Sequence, residues 1–132
     1  MRRLAAVAAA SAAVLAAGCG GSSGDILGLG MSGGPLRKPV RMHVTEDGRG
    51  SCNTGQLHEL PSSLVLDARN IVREAKPLTS HAASFGTRTP GRRNFELRTP
   101  QGTVTWVEAA PGLPLVLPQA EELALQLQRD LC

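Results

Sequence analysis

Asn94-Phe95-Glu96-Leu97-Arg98-Thr99-Pro100-Gln101-Gly102-Thr103-Val104-Thr105-Trp106-Val107-Glu108 holds two β-rich runs joined by a Thr-Pro-Gln-Gly step. Gly102 makes a tight reversal easy, so the stretch predicts a β-hairpin. Strand periodicity sets Phe95 and Leu97 on one face of the first run. On the second, Val104, Trp106 and Glu108 share a face opposite Thr103, Thr105 and Val107.

Upstream, Val40-Arg41-Met42-His43-Val44-Thr45-Glu46 alternates apolar and polar and runs into Asp47-Gly48-Arg49-Gly50, a strand followed by turn chemistry. Gln56 to Leu60 suggests a short second strand. From Pro61, Leu64, Ala68, Ile71, Val72 and Ala75 recur at helical spacing, which predicts an amphipathic helix ending at Pro77 with Ser62 or Ser63 as its cap. Leu78 to Arg93 lacks periodicity and reads as a long exposed connection. Downstream of the turn Pro111-Gly112-Leu113-Pro114, a second helix is expected from Pro118, with Glu121 and Glu122 in its first turn and Ala120, Leu123, Ala124, Leu127 and Leu131 buried. The expected fold is α+β, a small antiparallel sheet of three to four strands packed with two helices.

The start of the chain is an address. Arg2 and Arg3, the apolar run Leu4 to Leu15 and the small residues after it have the three parts of an export signal. The run is short for a membrane span, which takes about 20 residues. Leu15-Ala16-Ala17-Gly18-Cys19 resembles the lipobox of bacterial lipoproteins, differing in that Ala16 stands where Leu is commonest. That resemblance implies cleavage before Cys19, diacylglycerol on its thiol, and attachment to the extracytoplasmic face of the cell membrane. The expected division is a signal peptide over 1–18, a lipidated Gly/Ser-rich tether over 19–39, and one domain over 40–132. Gly20 to Gly34, taken as a spacer, gives a reach of roughly 20 Å.

Loss of Arg2 and Arg3 lowers the 14 basic residues to 12, against 11 acidic ones. This near-neutral balance, with one Trp, two Phe and no Tyr, argues against nucleic acid as a partner. Cys52 and Cys132 make an even pair in an exported chain, and one disulfide is expected. Two free thiols are the alternative.

Motifs of catalysis do not appear. His43, His58 and His81 form no local zinc spacing and read as solvated, so no metal or other cofactor is expected. No Gly-x-Ser-x-Gly elbow, Cys-His signature or phosphate loop is present, so the chain is not expected to be an enzyme. The cationic loop Arg88-Thr89-Pro90-Gly91-Arg92-Arg93, with Arg49 in the Asp47–Gly50 turn, supplies donors for an acidic partner, with a merely solvated loop as the alternative.

With this layout, about residues 40 to 131 resemble the emfourin family, small bacterial inhibitors of thermolysin-like metallopeptidases such as protealysin. The similarity rests on four features: the strand Val40 to Glu46 with its Gly turn, the Leu-Pro step into the helix bearing Asp67-Ala68-Arg69 and Ile71, the hairpin from Phe95 to Trp106, and the step through prolines into a Leu-rich last helix. Cys52 and Cys132 depart from the family. The resemblance implies a binding domain that inhibits a secreted metallopeptidase, and the loop arginines Arg49, Arg88, Arg92 and Arg93 are the candidate contacts for such a partner. A non-inhibitory interaction lipoprotein of the cell envelope is the alternative.

Overall fold

A computed structural model describes residues 24–132. Cys19 and the export signal lie outside the described residues. The described chain is α+β: β1 (Asp25–Gly33), β2 (Val40–Thr45), β3 (Arg49–Cys52), β4 (His58–Glu59), α1 (Ser62–Thr79), β5 (Ser84–Phe85), β6 (Arg93–Thr99), β7 (Gly102–Val107) and α2 (Val116–Leu131). One sheet of seven strands runs β4-β3-β2-β1-β6-β7-β5. This exceeds the three to four strands expected, and β5 pairs with β7 in parallel at one edge, making the sheet mixed.

The main correction falls on the segment expected to be a tether. Asp25–Gly33 is the central strand, paired antiparallel with β2 on one side and β6 on the other. The fold therefore reaches back at least to Asp25 and does not start near Val40. Leu27, Leu29 and Met31 are each 1% exposed beneath the helices, while the intervening Gly28, Gly30 and Ser32 face the other way. Alternation was in the sequence, hidden by glycine's poor strand propensity.

Both helices cover one face of this sheet, and the core lies between them and the inward residues Leu27, Leu29, Met42, Val44, Phe95, Leu97, Val104 and Trp106. The expected hairpin pairs Phe95 with Trp106 and Leu97 with Val104. Phe95 and Trp106 stack with ring centroids 5.5 Å apart, a geometry that adds to their area burial.

Helix boundaries differ from expectation in ways that have local causes. Neither Ser62 nor Ser63 caps α1; the amides of Leu64 and Val65 in its first turn donate to the Pro61 carbonyl. Pro77 sits in the last turn and the helix continues to Thr79, so the lost amide removes one bond without ending the helix. In α2 the start is Val116, so Pro118 falls in the first turn, where an amide lacks an intrahelical partner anyway. Glu121 and Glu122 consequently lie beyond that turn. The long connection Leu78–Arg93 contains β5.

Cys52 and Cys132 form a disulfide across 80 residues, with Cα atoms 5.5 Å apart. It pins the last residue of the chain to β3. On the chain-entropy account a loop of this length stabilises by roughly 4–5 kcal/mol.

Candidate functional site

Among the described residues no element covers the sheet face away from the helices, and that face is polar. Along β1 its floor is Gly28, Gly30 and Ser32; β2 contributes Arg41 and His43, and β6 contributes Asn94, Glu96 and Arg98. A bulge at Ile26 shifts the register between Asp25 and Leu27 and turns Asp25 to this face, where its Oδ2 lies 2.9 Å from His43 Nδ1. Glu96 is bonded by Arg98 on the same strand. Arg41 and Arg88, by contrast, enter no side-chain ion pair among the described residues.

Where β1 ends, the face deepens into a hollow of about 410 Å³ bounded by Pro39 and Arg41 on one side and by Phe85, Gly86 and Arg88 on the other. That size lies within the range of ligand sites. A second hollow, of only about 20 Å³, lies over Gly28 and shares Gly30, Arg41 and Glu96 with the first.

The four arginines singled out from the sequence do not form one cluster. Arg88, Arg92 and Arg93 stand at the end of the sheet where β1 finishes. Here the β1–β2 turn packs on the connection into β6: a Cβ at Gly34 would lie 3.1 Å from the Arg93 amide nitrogen, and one at Gly33 2.9 Å from Asn94 Nδ2. Both glycines have positive φ, 76° at Gly33 and 58° at Gly34, and Leu36 N closes the turn on the Gly33 carbonyl at 3.1 Å. Arg37 and Lys38 on this turn add cations that the sequence reading did not weigh.

Arg93 itself is a brace. Its backbone amide and its Nη1 donate to the two oxygens of Glu108, each at 3.1 Å, and its Nε is buried without a partner. Arg88 and Arg92 are exposed.

Arg49 is at the opposite end, in the β2–β3 turn. Its Nε and Nη2 donate to Asp47 Oδ2 at 2.9 and 2.7 Å. Hydrogen bonds from Arg49, and then from the Thr45 hydroxyl, hold the Asp47 carboxyl below its usual range. Arg49 is thus engaged by its own turn and is removed from the cationic group.

Among the described residues, no three His, Cys, Asp or Glu side chains converge as a metal site, and no helix is long and apolar enough to cross a membrane. His81 Nδ1 lies 2.9 Å from the Pro77 carbonyl, and His58 is exposed on the edge strand β4. No family model, curated protein or solved structure matches this chain.

Proposed function

We propose that the chain is a lipid-tethered binding protein of the cell envelope whose domain inhibits a thermolysin-like metallopeptidase. The observation that carries this reading is the braced cationic end, where Gly33 and Gly34 pack on Arg92–Asn94 and Glu108 clamps Arg93. Loops already fixed in this way lose little conformational entropy on docking. Arg88 and Arg92, with Arg37 and Lys38, are the contact residues of this reading, while Arg49 drops out.

The entry of the chain supports the same orientation. Only Gly20 to Gly24 separate Cys19 from β1, a span of at most about 20 Å at full extension. A lipid on Cys19 therefore holds the Asp25 end near the bilayer and leaves the cationic end, about 30 Å away along the nine residues of β1, facing outward.

The test is a titration of the full-length protein, purified in non-ionic detergent, against a thermolysin-like enzyme hydrolysing a peptide. Hydrolysis falls in proportion to added protein, and Arg88→Glu combined with Arg92→Glu weakens inhibition at least tenfold. Unchanged hydrolysis at micromolar excess rejects inhibition. For the tether, mass spectrometry of the membrane fraction finds a diacylated Cys19 as the first residue, and Cys19→Ser releases the protein from that fraction.

A second reading, a non-inhibitory interaction lipoprotein, is favoured by the uncovered polar face, which lies apart from the loop tips. Capture with the immobilised protein separates them: a retained metallopeptidase favours inhibition, and other envelope proteins favour the second reading.

A further inference from the structure

We infer that the uncovered face of the sheet is a docking trough for an extended, acidic peptide segment. The inference rests on reading the chain as a binding module, and it names a surface and a partner chemistry which that reading leaves open.

Glycine in a central strand weakens it, and such positions mark close approach by a ligand or another backbone. At Gly28 and Gly30 the fold itself makes no such demand. A Cβ at Gly28 would meet nothing closer than 3.6 Å and one at Gly30 nothing closer than 3.5 Å, ordinary van der Waals contacts. Neither glycine has the positive φ that would exclude a side chain. Their effect is instead to lower the floor between the row of Arg41 and His43 and the row of Asn94, Glu96 and Arg98.

The two hollows share Gly30, Arg41 and Glu96 in their linings, so the depression reaches along β1 and narrows sharply past Gly30. From Ser32 to Gly28 it runs about 13 Å, the length of about four residues of extended chain. The β2 and β6 rows, two strands apart, stand roughly 9.5 Å from each other, a width that admits one extended backbone, and the deeper hollow widens beyond the β6 row to Arg88 at the β5 side of the sheet.

Charge selects the occupant. Asp25 faces His43 and Glu96 is engaged by Arg98, whereas Arg41 and Arg88, on opposite walls of the deeper hollow, have no acidic partner among the described residues. Two unpartnered guanidinium groups above a floor of small residues fit carboxylates carried on an extended peptide. Asn94 and Thr105 add polar groups along the hollow.

The experiment uses the full-length protein in non-ionic detergent and a fluorescein-labelled octapeptide of alternating glutamate and valine, read by fluorescence anisotropy. A glutamine-for-glutamate octapeptide is the control. The glutamate probe binds at least tenfold more tightly than the control. Arg41→Glu with Arg88→Glu lowers its affinity at least tenfold. Gly30→Leu, which fills the trough, does the same, while Gly30→Ala changes it less than threefold. Circular dichroism and thermal midpoint verify that each variant is folded; should Gly30→Leu fail to fold, the charge-reversal pair decides. No binding at millimolar protein, equal binding of the two probes, or undiminished binding by folded Gly30→Leu overturns the inference. Peptidase titration keeps the two proposals apart: inhibition without probe binding sinks the trough alone, and probe binding without inhibition sinks the inhibitor reading alone.

Discussion

The indole Nε1 of Trp106 donates to Glu121 Oε1 at 2.8 Å, joining β7 to α2 at the edge of the core. Burial is the main cause of a raised Glu121 pKa, and the Trp106 hydrogen bond opposes it. A carboxyl whose folded value is raised binds its proton more tightly in the folded state. Its contribution favours folding at low pH and is lost as pH rises through the raised value. Glu121→Gln keeps an acceptor without the charge, so its thermal midpoint relative to wild type rises as pH is taken from 4 to 7. Glu121→Ala strands the indole N–H and lowers stability by about 1–3 kcal/mol at neutral pH. Denaturation of the three proteins across that pH range checks both outcomes.

Leu29 tests the central strand. It is 1% exposed, and Leu29→Ala costs about 2–5 kcal/mol as a buried large-to-small change. Were Asp25–Gly33 a spacer, urea denaturation would show no difference.

Gly102 is required by its surroundings. Its φ is +142°, and a Cβ there would lie 2.3 Å from the Thr79 carbonyl oxygen. Gly102→Ala therefore destabilises by about 2–4 kcal/mol, combining backbone strain with a forced shift of the end of α1. The measurement is the urea midpoint, with the slope unchanged.

Cys132→Ser frees the C-terminus from β3 and lowers stability by about 2–5 kcal/mol. Dithiothreitol gives the wild-type protein the same loss and leaves the variant unaffected. A protein whose midpoint ignores the reductant contradicts the role given to the bridge.

Arg49→Ala leaves inhibition and octapeptide binding within twofold of wild type, because this side chain is held by Asp47 at the far end of the sheet. A tenfold loss in either assay would return Arg49 to the contact set.

What the sequence made legible was whatever carried strong local chemistry. The β6–β7 hairpin has β-branched and aromatic residues on either side of a glycine turn, and its pairing of Phe95 with Trp106 follows from that pattern. The stripes of α1 and α2 were equally plain, since Leu64, Ala68, Ile71 and Ala75, and Ala120, Leu123, Ala124 and Leu127, are buried at the expected spacing. β1 was hidden because Gly28, Gly30 and Ser32 have the composition of a linker, although Leu27, Leu29 and Met31 alternate with them at strand period. β3 was missed for a similar reason, as Arg49-Gly50-Ser51-Cys52 is read locally as a turn. Of the candidate site, the loop arginines could be named from composition. Their separation into two ends could not, because it depends on pairing between strands distant in sequence.

The position of β1 also sets an order of events in time. It is the first of the described elements to be synthesised, and Val40–Thr45 follows soon enough to pair with one of its edges. The other edge waits for Arg93–Thr99, until most of the chain has been made. Until α1 has been made Leu27, Leu29 and Met31 have no helix over them, and α2 joins the cover only after Arg93–Thr99 and Gly102–Val107. A nascent hairpin with one open edge and an uncovered apolar face is a template for intermolecular pairing. The half-built sheet is therefore the species in which pairing between chains competes with folding.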